Sequence, residues 1–208
     1  MKLRIASAAL AAAALAATSA RAAEPKTKPG LREEGLRGEG LRGEMSAIPM
    51  VALGVLPSWS IGIAPAMGFR WPGLSVAIEA QVLYGLDREP VGGGASTVTG
   101  IAMAVPSVCG HSGAFFACGV LGAGELRTES DPSLNVQTKD PWLVAFGLRG
   151  GFDWFVSPHF AVRSHLTGVT LLARPSLGFE GAEIWRTAPF GAAFGLGIMV
   201  PLGVESRP

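Results

Sequence analysis

Between Leu74 and Leu86 the chain alternates with a period of two. Leu74, Val76, Ile78, Ala80, Val82, Tyr84 and Leu86 fall on one face of an extended segment, and Ser75, Ala77, Glu79, Gln81, Leu83 and Gly85 on the other. A helix, with its period of 3.6, would smear this separation; a strand preserves it. The pattern recurs. Trp142, Val144, Phe146, Leu148, Phe152 and Trp154 oppose Ala145, Gly147, Arg149, Gly151 and Asp153, while Phe160, Val162 and Leu166 oppose Arg163, His165 and Thr167. In each case the bulky face is continuous and apolar, and the other face is small or ionisable. That division suits a closed barrel with lipid outside and polar groups within.

Eight such segments are expected, at 46–56, 60–71, 74–86, 96–106, 114–126, 142–153, 159–172 and 187–204. Most are longer than an ordinary soluble strand, and their length suits a tilted membrane crossing of about 9–11 residues with its ends. The predicted fold class is all-β: an eight-stranded antiparallel up-and-down transmembrane β-barrel. Its turns alternate in length. Those at Pro72-Gly73, 110–113 and Ser157-Pro158 are short, whereas 87–95, 127–141 and 173–186 are long and carry much of the remaining charge. Short periplasmic turns and long external loops are the usual asymmetry of such barrels.

The N-terminus agrees with this destination. Lys2 and Arg4 precede an apolar stretch from Ile5 to Ala17, and Ala20-Arg21-Ala22 reads as a cleavage site. Residues 1–22 are therefore expected to be a secretory signal peptide. Residues 23–45 contain a repeat, Gly30-Leu31-Arg32-Glu33-Glu34, Gly35-Leu36-Arg37-Gly38-Glu39 and Gly40-Leu41-Arg42-Gly43-Glu44. Too little apolar surface lies there to offset chain entropy, so a disordered linker is expected, with a docking segment as the competing reading. The barrel is assigned to 46–204.

Charge narrows the function. The 17 Lys+Arg nearly balance the 16 Asp+Glu, and no basic stripe exists to follow a nucleic acid backbone. Charged residues make up 16% of the chain, against roughly 25% in soluble domains, and they concentrate in residues 24–44. The uncharged stretches 48–69 and 188–204 leave a helical inner-membrane protein as an alternative, with Gly191 and Gly195 at helix-packing spacing. Pro49, Pro57 and Pro65 interrupt the first of these stretches, and Pro189 and Pro201 bound the second.

The residues expected to face the lumen are Arg70, Glu79, Gln81, Glu125, Arg149, Asp153, Arg163 and His165. Charges inside a membrane must be paired or hydrated, so an internal ion-pair network is expected, with a narrow ion or solute path as its functional version. Eight strands leave an interior that side chains just fill. Trp59, Tyr84, Trp142 and Trp185 are expected at the outer rim, and Trp71, Trp154, Phe155 and Phe160 at the periplasmic rim, where amphipathic rings prefer to lie. Cys109 and Cys118 bracket the turn 110–113 and are expected to face one another across a hairpin as a disulfide. Their spacing matches no common zinc pattern, and His111 reads as a solvated turn residue. No metal or cofactor is expected. Catalysis finds no support, because Ser164 and His165 point to opposite faces and no phosphate loop or nucleophile elbow occurs.

The export signal, tail and eight amphipathic strands resemble the OmpA-type small outer-membrane β-barrel superfamily over residues 46–204. The resemblance implies an outer-membrane location, contact with outer-membrane lipid and lipopolysaccharide, insertion by the barrel assembly machinery, and a monomer acting through surface loops. Such barrels usually end in an aromatic residue. Here the sequence runs Val204-Glu205-Ser206-Arg207-Pro208, so Leu202 or Val204 would take that part, and an envelope tether would fall to residues 23–45. A lipocalin-like soluble carrier of an apolar ligand is a further alternative, and it requires the apolar faces to turn inward.

Overall fold

A computed structural model of the chain describes residues 40–86, 89–91, 95–129, 136–139, 141–179 and 182–202. The expected signal peptide, most of the expected linker and the segment after Leu202 lie outside these residues. Twelve strands form among them: β1 (Arg42–Leu53), β2 (Ser60–Trp71), β3 (Leu74–Gly85), β4 (Glu89–Val91), β5 (Ala95–Ser112), β6 (Phe115–Glu129), β7 (Val136–Lys139), β8 (Trp142–Ser157), β9 (Phe160–Ala173), β10 (Ser176–Phe179), β11 (Ala182–Arg186) and β12 (Phe190–Leu202).

Eight of them close a barrel. The antiparallel order β3-β2-β1-β12-β9-β8-β6-β5 returns to its start through the β3–β5 pairing. Closure leaves no unpaired edge, the condition a sheet must meet to cross lipid. The two stretches that could have been membrane helices are β1 with β2, and β12; among the described residues no helix is long and apolar enough to cross a membrane. Gly73 and Gly113 have positive φ in their turns, a backbone region that costs glycine nothing.

The expected strands are all present, with three corrections to their surroundings. First, β1 begins at Arg42, inside the expected linker. Gly43 pairs with both Phe69 and Leu202, so the ladder holds it on both sides. Second, β5 and β6 run past their expected ends, because the hairpin ladder continues from Ser112↔Phe115 to Val98↔Glu129. Third, the long segments expected to face outside are not plain loops. They contain β4, which adds to β5, and a three-stranded sheet in the order β11-β10-β7.

Proline marks the walls. Pro49, Pro65 and Pro106 lie in mid-strand on outward-facing positions, and the ladder has a gap beside each. Without an N–H, proline cannot donate there. In each case the other neighbouring strand keeps its pairing without a break.

The exterior is apolar on every barrel strand. Met45 and Val51 on β1, Ile63 and Met67 on β2, Ile78 on β3, Val108 on β5, Leu121 on β6, Leu148 on β8, Leu166 on β9, and Leu196 and Ile198 on β12 are all exposed. A soluble monomer rarely shows an apolar patch above a few hundred Å², whereas here the band circles the molecule. The inward-facing carrier alternative is therefore excluded. Of the aromatic residues expected at the rims, Trp59, Tyr84 and Trp142 are exposed near one set of strand ends and Trp71 and Trp154 near the other. Trp185 is an exception. It lies on β11 and packs inward against buried apolar residues instead of marking the outer rim. Phe155 is another, because it occupies a lumen-facing position and receives the Arg70 guanidinium 5.8 Å from its ring centre.

Candidate functional site

Strand alternation decides which charges enter the lumen. On β3 the odd positions point inward, which places Ser75, Glu79, Gln81 and Leu83 inside, all of them buried. On β8 the inward positions include Leu143, Ala145, Arg149 and Asp153; on β9 they include Arg163, His165, Thr167 and Leu171. The register then brings strands far apart in sequence to a common depth. Seven of the eight expected lumenal residues meet in this way.

They form two layers. Near mid-height Arg149 donates from Nη1 to Glu79 Oε2 at 2.8 Å and from Nη2 to Glu79 Oε1 at 3.0 Å, and its Nε donates to Thr167 Oγ1 at 2.9 Å. Gln81 also donates to Glu79. This two-pronged pairing satisfies most of the donors and acceptors of a fully enclosed ion pair. Nearer the short turns, Arg163 donates from Nε to Asp153 Oδ1 at 2.7 Å and from Nη2 to Oδ2 at 2.9 Å. Arg70 donates to Asp153 Oδ2 at 3.0 Å, and Arg163 donates to Glu44 Oε1 at 3.2 Å. Asp153 is 1% exposed, so both guanidiniums are needed to hold its charge inside.

His165 lies between the layers, buried, with neither ring nitrogen bonded within the protein. Its ring occupies the space that a side chain at position 195 would fill: a Cβ on Gly195 would approach His165 Nε2 to 2.7 Å.

Glu125 does not join the network. On β6 the inward positions are the even ones, Phe116, Cys118, Val120 and Leu126, and all four are buried. Glu125 shares the outward face with Leu121 and pairs there with Arg127. Two lumenal groups were not anticipated. Glu44 falls within the expected linker, yet continues the inward positions Ile48, Met50 and Ala52 by a period of two. His111 belongs to β5 rather than to a solvated turn, and its Nε2 lies 2.8 Å from Ser75 Oγ. His111 Nδ1 has no partner, and both oxygens of Asp153 are taken by arginines. The Ser75–His111 pair therefore lacks an orienting acid. Cys109 and Cys118 are directly opposite one another on β5 and β6 and form a disulfide. No group of three or more His, Cys, Asp or Glu that could hold a metal occurs among the described residues.

Above the ionic layers the lumen changes character. Met50, Ala52, Leu83, Ile101, Leu126, Leu143, Ala145 and Leu171 fill it, together with Leu56 from the first outer turn and Leu177 from β10. A cavity of about 40 Å³ remains where this plug meets Gln81, Arg149 and Thr167. That is room for about one to three waters and too small for a solute path.

No family model matches the chain, and no curated protein matches it. Among solved structures it is similar to Neisserial surface protein A, at 11% identity over 77% of this chain and 96% of that one, TM-score 0.47. It is also similar to the outer membrane protein OprG from Pseudomonas aeruginosa, at 12% identity over 79% and 95%, TM-score 0.45. A third similar structure is the outer membrane protein AlkL in DMPC lipid bilayers, at 12% identity over 90% and 99%, TM-score 0.48. Independently of these likenesses, a ladder closed without an edge, an apolar exterior around the strands and buried charges paired inside the lumen are the conditions for a sheet to cross lipid, and this chain has the architecture of the small eight-stranded outer-membrane β-barrels.

Proposed function

We propose that this barrel is a non-enzymatic membrane scaffold that acts through its outer surface. In this reading the signal peptide is removed on export, the residues before Arg42 form a periplasmic tail, and the barrel assembly machinery inserts a monomer surrounded by lipid and lipopolysaccharide. One observation carries the proposal: the outer half of the lumen is packed with apolar side chains and capped by Leu177 of the outer sheet. A conducting path would have to displace that core. Arg149 with Glu79, and Arg70 and Arg163 with Asp153, pair below it, as expected of groups that hold the barrel in one register. What remains available for interaction is the outer sheet of β7, β10 and β11, whose Glu183 and Arg186 pair at its surface.

The test has two parts. Cells carrying the full chain are compared with cells whose β10–β11 hairpin is cut back to a short turn, for retention on surfaces coated with anionic or neutral glycans. Loss of retention at unchanged barrel yield is the expected outcome. In planar bilayers the purified protein should give no conductance steps. Steps whose ion selectivity changes with Arg149→Gln would replace this reading with the channel.

A further inference from the structure

The mouth on the short-turn side holds unequal charge. Arg42 opens β1 and stands directly opposite Arg70 of β2, and both occupy lumen-facing positions. Like charges placed opposite one another destabilise a sheet unless a counter-charge joins them. The two carboxylates within reach are Glu44 and Asp153, and each is already shared between Arg70 and Arg163. Arg42 itself, half-buried, makes no hydrogen bond or ion pair among the described residues. Three guanidiniums therefore face two carboxylates, and one positive charge is left over. The layer of Arg149 and Glu79 and the apolar plug close the lumen above it, so this charge is reachable only from the periplasmic side.

We propose that this mouth is a carboxylate-binding site, with Arg42 as the principal donor and Arg70 as the second. Charge balance favours a monoanion. A single negative charge balances the excess, whereas a phosphate dianion would leave the mouth negative beside Glu44 and Asp153. Carboxylate and phosphate both take two parallel hydrogen bonds from one guanidinium, so it is the charge that selects the carboxylate. The ligand is then either a small free carboxylate or the free carboxyl end of a peptide entering from the periplasm.

The experiment uses the full mature chain in lipid nanodiscs with ¹⁵N-labelled arginine. The Arg42 Nε–H signal is assigned by its loss in Arg42→Gln. Sodium acetate, acetyl-dialanine with a free carboxyl, the same peptide amidated, and sodium phosphate are titrated at constant ionic strength. The expected result is a saturable shift of the Arg42 signal with the two carboxylates and none with the amide. Arg42→Gln should weaken carboxylate binding, followed by the Arg70 signal, by about 10-fold or more, as loss of a charge-assisted hydrogen bond predicts. It should leave the heat-shifted gel band of the folded barrel in place, and Arg42→Lys should bind with intermediate strength. Tighter binding of acetyl-dialanine than of acetate assigns the site to peptide ends; equal binding assigns it to small carboxylates. The proposal is overturned if phosphate moves Arg42 as far as carboxylate does, or if no shift saturates. It is also overturned if Glu39→Gln or Glu205→Gln moves the Arg42 signal without added ligand, because the chain then supplies its own counter-charge.

Discussion

The two halves of the lumen solve one packing problem in opposite ways. Toward the outer end, Leu83, Ile101, Leu143 and Leu171 meet across the barrel as a soluble core would. Toward the short turns, Glu44, Arg70, Asp153 and Arg163 place charge beside the smaller apolar cluster of Val105, Phe116, Val120 and the Cys109–Cys118 disulfide. The apolar side chains there need no hydrogen-bond partner, so each can be trimmed at the cost of a cavity alone. The ionic half has no such tolerance. An enclosed ion pair gives little net stability over an apolar replacement, but removing one partner strands the other. The difference suggests a division of labour in which the apolar half seals the barrel and the ionic half fixes which strands lie at which depth.

The largest expected effect follows from breaking the mid-height pair. Arg149→Met leaves Glu79 charged and enclosed with Gln81 alone, and should destabilise the barrel by about 3–5 kcal/mol. Adding Glu79→Gln should recover most of that loss. The measurement is urea unfolding of the protein in lipid vesicles, followed by the heat-shifted band, with the two single variants and the double variant forming a cycle. If the loss in the double variant equals the sum of the two single losses, the charges do not depend on one another and the contrast between the halves fails.

In the apolar half, Leu143 is fully buried. Leu143→Ala should cost about 2–5 kcal/mol through lost burial and the cavity left behind. No second substitution at Glu44, Asp153 or Arg163, which do not line the cavity beside Leu143, should change that figure. Outside the wall, Leu148 is 74% exposed near the middle of β8. Leu148→Arg should cost about 2–4 kcal/mol if that face meets the bilayer midplane, and almost nothing if it meets water. Unfolding in vesicles separates the two outcomes, and a neutral result would overturn the membrane assignment.

These contrasts were only partly legible in the sequence. Period-two alternation was enough to find the barrel strands, because lipid outside and a narrow lumen inside impose it on every strand. It also placed Glu79, Arg149, Asp153, Arg163 and His165 inward. It missed Glu44 because composition outweighed position: the Gly-Leu-Arg-Gly-Glu repeat reads as linker, although its third copy shares the parity of Ile48 and Met50. The apolar plug was hidden for a related reason. Leu83, Leu143 and Leu171 occupy faces read as small or polar, and only the closed ladder brings them to one depth. The contact of Ser75 with His111 depends on the register Ser75↔Cys109 between β3 and β5, which no local pattern encodes. The outer sheet depends on partners spread from Val136 to Arg186, so it too leaves no local trace.

The smallest expected effect tests the boundary of the ionic half. Glu125 carries the same charge as Glu79 but faces outward, opposite Trp142 at the rim, with Arg127 as its partner. The Arg127 side chain is 73% exposed, and water screens such a pair. Glu125→Gln should therefore change stability by no more than about 0.5 kcal/mol, a difference that added salt should erase. Glu79→Gln, made for comparison, should cost far more at any salt concentration, because the Arg149 it strands lies beyond the reach of solvent ions. If the two substitutions cost the same in vesicle unfolding, the inward and outward parities of β3 and β6 are not those described. Two carboxylates of equal charge on neighbouring parts of one wall thus differ in consequence only through the direction in which the strand turns them.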